Sequence, residues 1–207
     1  MVDFFVQGGG FMWPILIALL FGLAIIGERA YSLINSSSNT DQFFDDVKTI
    51  YDDSGKEQAI EFCENTPGPV ASIFYAGLSK MEKTKEEIEK AVQNAGGLEM
   101  AFLEKNMIWI NSVITIAPML GFTGTVVGMI KAFEDIKMAN DISPAVVAGG
   151  ISQALLTTAF GLIVAMIMQV AQNFFVSMID KLILDMEENS VKFMDQLHLE
   201  YEKLAQS

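Results

Sequence analysis

The sequence predicts an all-α integral membrane protein with three transmembrane helices and long helices extending into a cytoplasmic helical domain. Three observations carry this expectation. Of the 207 residues, 51% are hydrophobic and the mean hydropathy is +0.36, too apolar on average for an ordinary soluble domain. The apolar content is concentrated in three runs free of charge, at 11–27, 106–130 and 145–179. No run of useful length alternates apolar and polar residues as a half-buried strand would.

Residues 1–10 hold Asp3 and no Lys or Arg, so they lack the basic region that precedes the apolar core of a secretory signal. They read as a periplasmic N-terminus, and 11–27 as a first transmembrane helix entered through Trp13 and Pro14. Tryptophan favours the headgroup level and proline is tolerated in a first helical turn. Glu28 and Arg29 close that span. Residues 28–105 form a polar helical domain. Ser36–Thr40 reads as a loop or the N-cap of a helix over Asp41–Glu64 that carries Phe43, Phe44, Val47, Ile50, Tyr51, Ile60 and Phe62. Pro67-Gly68-Pro69 breaks the pattern and a short apolar helix follows at Val70–Leu78. Thr84 and Glu87 make a capping box for a helix running on into the second span, with Gly96-Gly97 a candidate kink.

The second span, 106–130, is long enough at about 1.5 Å per residue to cross the hydrocarbon core of a bilayer. A short periplasmic connection is expected at 131–144. The third span, 145–179, exceeds the membrane thickness, so it tilts or projects beyond it. An amphipathic cytoplasmic helix occupies 180–207, with Leu182, Met186, Phe193, Leu197 and Leu204. Of 13 basic residues, 8 lie within 28–105 and 3 after Ile179. The positive-inside rule therefore predicts a cytoplasmic domain and C-terminus and an outside N-terminus.

Several function classes lose their footing. A net charge of -13 disfavours nucleic acid, whose phosphates need clustered Lys and Arg. One cysteine, Cys63, and one histidine, His198, give no metal spacing, and a buried apolar role suits Cys63. No GxSxG, P-loop or HExxH motif occurs, so an enzyme is not expected and no cofactor is implied.

The two longer spans carry small residues at helical spacing. Pro118, Gly121, Thr125, Gly128 and Ala132 stack on one face of the second, and Gly124 with Gly128 forms a small-xxx-small pair. Gly150, Ala154, Thr158, Gly161 and Ala165 do the same on the third, with Gln153 and Thr157 beside them and Gln169 further along. Each face has one central hydroxyl, Thr125 or Thr158. Periodicity leaves two readings open: hydroxyls that bond their own helix or glue helices together, or hydroxyls that line a path. No ionisable residue lies deep in any span, so a proton-binding group would have to come from another polypeptide.

These stretches resemble a known family. Ile116–Ile130, IAPMLGFTGTVVGMI, is similar to the second-helix signature of the MotA/TolQ/ExbB ion-channel family, and Ile151–Leu162, ISQALLTTAFGL, to its third. The three-span layout resembles the ExbB/TolQ branch more than the four-span MotA branch. The resemblance implies a homopentamer in the bacterial inner membrane around a single-span ExbD- or TolR-like partner. That partner would bring the missing membrane aspartate, and a TonB- or TolA-like protein would carry work to the outer membrane. Thr125 and Thr158 match the family's pore-facing threonines. Pro118, Gly121, Gly124, Gly128, Gln153, Ala154, Thr157 and Gly161 are expected in secondary pore or packing roles. Gln153 stands where ExbB-type sequences often carry glutamate, which leaves proton and sodium both open. A flagellar or gliding stator-type subunit and a non-conducting scaffold are the alternatives.

Overall fold

The computed structural model describes residues 2–36, 40–139 and 144–205, with side chains over 3–36, 42–138 and 147–195. The expected roles of 37–39, of Asp141 in the connection, and of the side chains of Leu197, His198 and Leu204 lie outside these residues. All the described elements are helices, in the order α1 Val2–Gln7, α2 Met12–Ser36, α3 Thr40–Ser54, α4 Lys56–Asn65, α5 Pro69–Leu78, α6 Lys85–Leu103, α7 Met107–Ala139 and α8 Pro144–Ala205. Three of the helical stretches are long and apolar enough to cross a membrane.

The chain divides into two compact units, 1–29 with 106–174, and 30–105 with 175–207. The first holds α1, most of α2, α7 and the first half of α8. Its core is built by Met12, Ile15, Ile110, Val113, Ala117, Val164 and Met168, all buried. Many apolar side chains on the outer faces remain exposed, including Trp13, Leu20, Trp109, Phe122, Leu162 and Met166. A helix apolar all round is what a lipid or protein surround requires.

The second unit is an aromatic-centred helical cluster. Phe74 is fully buried and touches the rings of Phe43, Phe44 and Phe193, with centroids 5.7, 5.8 and 4.5 Å away. The expected capping box is present: Thr84 Oγ1 accepts from the Glu87 amide while the Glu87 carboxylate accepts from the Thr84 amide. Lys56 donates to Glu82 at 2.9 Å and holds its carboxyl below the usual range. Burial pushes the Cys63 thiol up to about 12.

Four helix boundaries differ from the expectation, each for a local reason. The helix expected over Asp41–Glu64 is two, because Gly55 takes φ 91, a conformation that favours glycine and ends α3. The helix expected to run from Thr84 into the second span stops at Leu103, and Asn106 at φ 65 turns the chain before α7. Gly96 and Gly97 both lie inside α6. The second and first spans are parts of longer helices. Lys131 and the residues to Ala139 remain in α7, and α2 passes Glu28 and Arg29 to reach Ser36.

Candidate functional site

The two small-residue faces found in the sequence meet each other. α7 and α8 run antiparallel, and their glycines let the backbones touch. A β-carbon built on Gly161 would lie 2.5 Å from the Ala117 carbonyl oxygen, and one on Gly121 would lie 2.9 Å from the Thr157 carbonyl oxygen. Gly128 faces Ala154 at 3.2 Å and Gly150 faces Ala132. Any larger residue at Gly121 or Gly161 meets main chain, which cannot rotate aside. Pro118 sits inside α7 three residues before Gly121, where its ring leaves the Ile114 carbonyl without its usual helical donor.

Three threonines occupy the middle of this seam. Thr157 is the inner one, 2% exposed, and donates to the Ala154 carbonyl at 2.7 Å. Thr125 and Thr158 sit at its half-buried edge, hydroxyl against hydroxyl. Thr125 Oγ1 also lies 3.0 Å from the Ala154 oxygen, and Thr158 Oγ1 3.1 Å from the Gly121 oxygen. A threonine hydroxyl has one proton and two lone pairs, so the bond between the two hydroxyls can run in either direction. Either Thr125 donates to the carbonyl of Ala154 or, at 3.3 Å, of Gly121 while Thr158 donates to Thr125, or Thr158 donates to Gly121 and Thr125 donates to Thr158. The two interconvert by rotating two O–H bonds, and lone pairs stay free in both. The pair can therefore offer a donor to a carboxylate or oxygen lone pairs to a cation or water.

Gln153 does not join the Thr125–Thr158 hydroxyl pair. It lies five residues before Thr158, about 140° around the helix, and its carboxamide packs on the backbone of Gly9. The N-terminal turn also brings Phe11 Cβ within 3.1 Å of a β-carbon on Gly124, whose other neighbour is Thr157 Oγ1 at 2.7 Å. Sequence reading missed Gly9 and Phe11 as neighbours of the seam. The Gly8-Gly9-Gly10 run was the available signal, since consecutive glycines permit a close backbone approach. At the far end of α7, Glu28 accepts from both Arg29 (2.7 Å to Nε) and Asn106 (3.3 Å). Arg29 is 1% exposed there, a buried charge beside a carboxylate.

The residues that make this seam lie within a matched family profile, that of the MotA/TolQ/ExbB proton channel family, over residues 65–188. The chain belongs to that family. Among relatives, an ExbB-like biopolymer transport protein of Synechocystis sp., called ExbB-like 3, is 29% identical over 173 residues, 83% of this chain and 82% of its own. The biopolymer transport protein ExbB of Xanthomonas campestris is 33% identical over 99 residues, 48% of this chain and 39% of its own. The Tol-Pal system protein TolQ of Pseudomonas aeruginosa is 28% identical over 117 residues, 51% of each. The chain thus spans most of the first relative and about half or less of the other two. MotA/TolQ/ExbB proteins are of channel and transport type, and the seam lies in the part of this chain that carries the family match.

Proposed function

We propose that this chain is the ion-channel subunit of an inner-membrane motor of ExbB–ExbD or TolQ–TolR type, with the proton as the favoured ion. In this reading several copies, a pentamer by resemblance, surround a single-span partner whose membrane aspartate faces Thr125 and Thr158. Ion passage drives rearrangement of the partner, and a TonB- or TolA-like protein carries the work to the outer membrane. Each charge crossing gains about 2.3 kcal/mol per 100 mV. The N-terminus is periplasmic and the helical domain and C-terminus are cytoplasmic.

One observation carries the reading: two hydroxyls paired at the half-buried edge of a seam, in spans with no ionisable side chain of their own. An arrangement rich in exchangeable hydrogen bonds and lacking a titrating group suits a subunit that lines a path. A scaffold is the second reading, favoured by Thr157, whose buried hydroxyl is satisfied inside the chain and acts as helix glue. The native mass of the purified chain, with and without a co-expressed ExbD- or TolR-like partner, tests the proposal. A pentamer that gains two partner chains is expected. A monomer or dimer that recruits no partner would overturn it.

A further inference from the structure

The N-terminal turn is packed on the α7–α8 seam more closely than a connecting turn requires. Gly9 takes φ 72, where a side chain is strained, and the space its β-carbon would fill is occupied by Gln153 Nε2, with Cδ 3.1 Å and Cγ 3.8 Å away. Two residues on, Phe11 closes over Gly124 beside the Thr157 hydroxyl. The turn is fixed from its own side as well, since Met12 is buried and fills the space beside Gly8, and Phe5 stacks edge-on against Trp13 with centroids 5.4 Å apart. Among the described residues the Gln153 carboxamide has no hydrogen-bond partner, so shape alone holds it against Gly9.

We propose that Gly9 is a positioning residue: the turn it makes seats the Gln153 side chain and, through Phe11, stoppers the polar seam beside Thr157. The consequence for ion passage rests on the reading of that seam as the ion path. With the turn seated, water reaches Thr157 poorly. With it unseated, the seam opens toward the N-terminal end of α8.

The test reads access to the seam without passing ions, so its outcome is separate from that of the channel reading. In full-length Cys63→Ala protein in native membranes opened to both faces, a water-soluble methanethiosulfonate reagent titrates the thiol introduced by Thr157→Cys. Gly9→Ala should speed modification at least tenfold. In a Gln153→Ala background, which lacks the atoms the new methyl meets, Gly9→Ala should speed modification over Gln153→Ala alone by at least about threefold less than it does with Gln153 present. The backbone strain of Gly9→Ala is present in both backgrounds, so the cycle isolates the contact with Gln153. An unchanged rate in Gly9→Ala, or a rise just as large in the Gln153→Ala background, would overturn the proposal. Should Gly9→Ala fail to fold, Gly9→Cys with Gln153→Cys in the same Cys63→Ala background decides it. A rapid disulfide on mild oxidation supports the seating, and none overturns it.

Discussion

Gly161→Ala places one methyl group where α7 and α8 touch main chain to main chain. Its β-carbon would stand 2.5 Å from the Ala117 carbonyl oxygen and 3.2 Å from Gly121 Cα. Ordinary contact begins at 3.4 Å, so the helices must part by about 0.9 Å. A gap of that size forfeits roughly a quarter to a half of each dispersion contact along the seam, and overpacking of this kind costs about 1–3 kcal/mol. It also stretches the Thr158 to Gly121 hydrogen bond, now 3.1 Å, toward breaking. At 207 residues each kcal/mol moves the midpoint by about 2–4 °C, so thermal unfolding in detergent should fall by about 2–12 °C. Gly149→Ala is the control, because a β-carbon there meets nothing within 4 Å and alanine favours a helix. If Gly161→Ala proves as stable as Gly149→Ala, the direct backbone contact between α7 and α8 is wrong.

Three further outcomes follow from the second unit. Asn189 is 2% exposed with its Oδ1 unpaired among the described residues, so Asn189→Leu should raise the unfolding free energy by roughly 1–3 kcal/mol, read as a higher midpoint in calorimetry. Phe74→Ala removes the ring that three others surround and should cost about 3–5 kcal/mol in denaturant unfolding. The Cys63 thiol, 2% exposed, is raised from 9.0 to about 12, so the unfolded chain loses its proton first and stability falls as pH rises from 9.0 toward 12. The slope at that site approaches about 1.4 kcal/mol per pH unit, and Cys63→Ala should remove it from a pH series of unfolding midpoints.

The sequence showed the helix-packing code of the seam more fully than its surroundings. Small residues at spacings of three and four named Gly121, Thr125, Gly128, Ala154, Thr158 and Gly161, because helical periodicity is a local property. That the two faces pair with each other was left open, since periodicity says which side is small and not what covers it. Gln153 was read as one helical step around from the central face, beside Thr157, and periodicity could not say that Gly9 covers it. Helix ends set by single residues escaped for a different reason. Gly55 and Asn106 break helices through their own backbone conformation; Asp52-Asp53-Ser54-Gly55 was a readable turn signal that the apolar periodicity on either side masked, whereas Asn106 stands in no such cluster. Glu28 and Arg29 misled in the opposite sense, since a charged pair ends an apolar run without ending a helix.

The channel reading is tested most directly by ion flux through the assembled complex in proteoliposomes under an imposed potential, comparing the wild type with Thr125→Val and Thr158→Val. Valine keeps the shape of threonine and removes the exchanging hydroxyls, so both variants should still assemble with the partner while flux falls by about tenfold or more, a barrier change of about 1.4 kcal/mol. Full flux in variants that assemble normally would contradict the account and leave the threonines as helix glue.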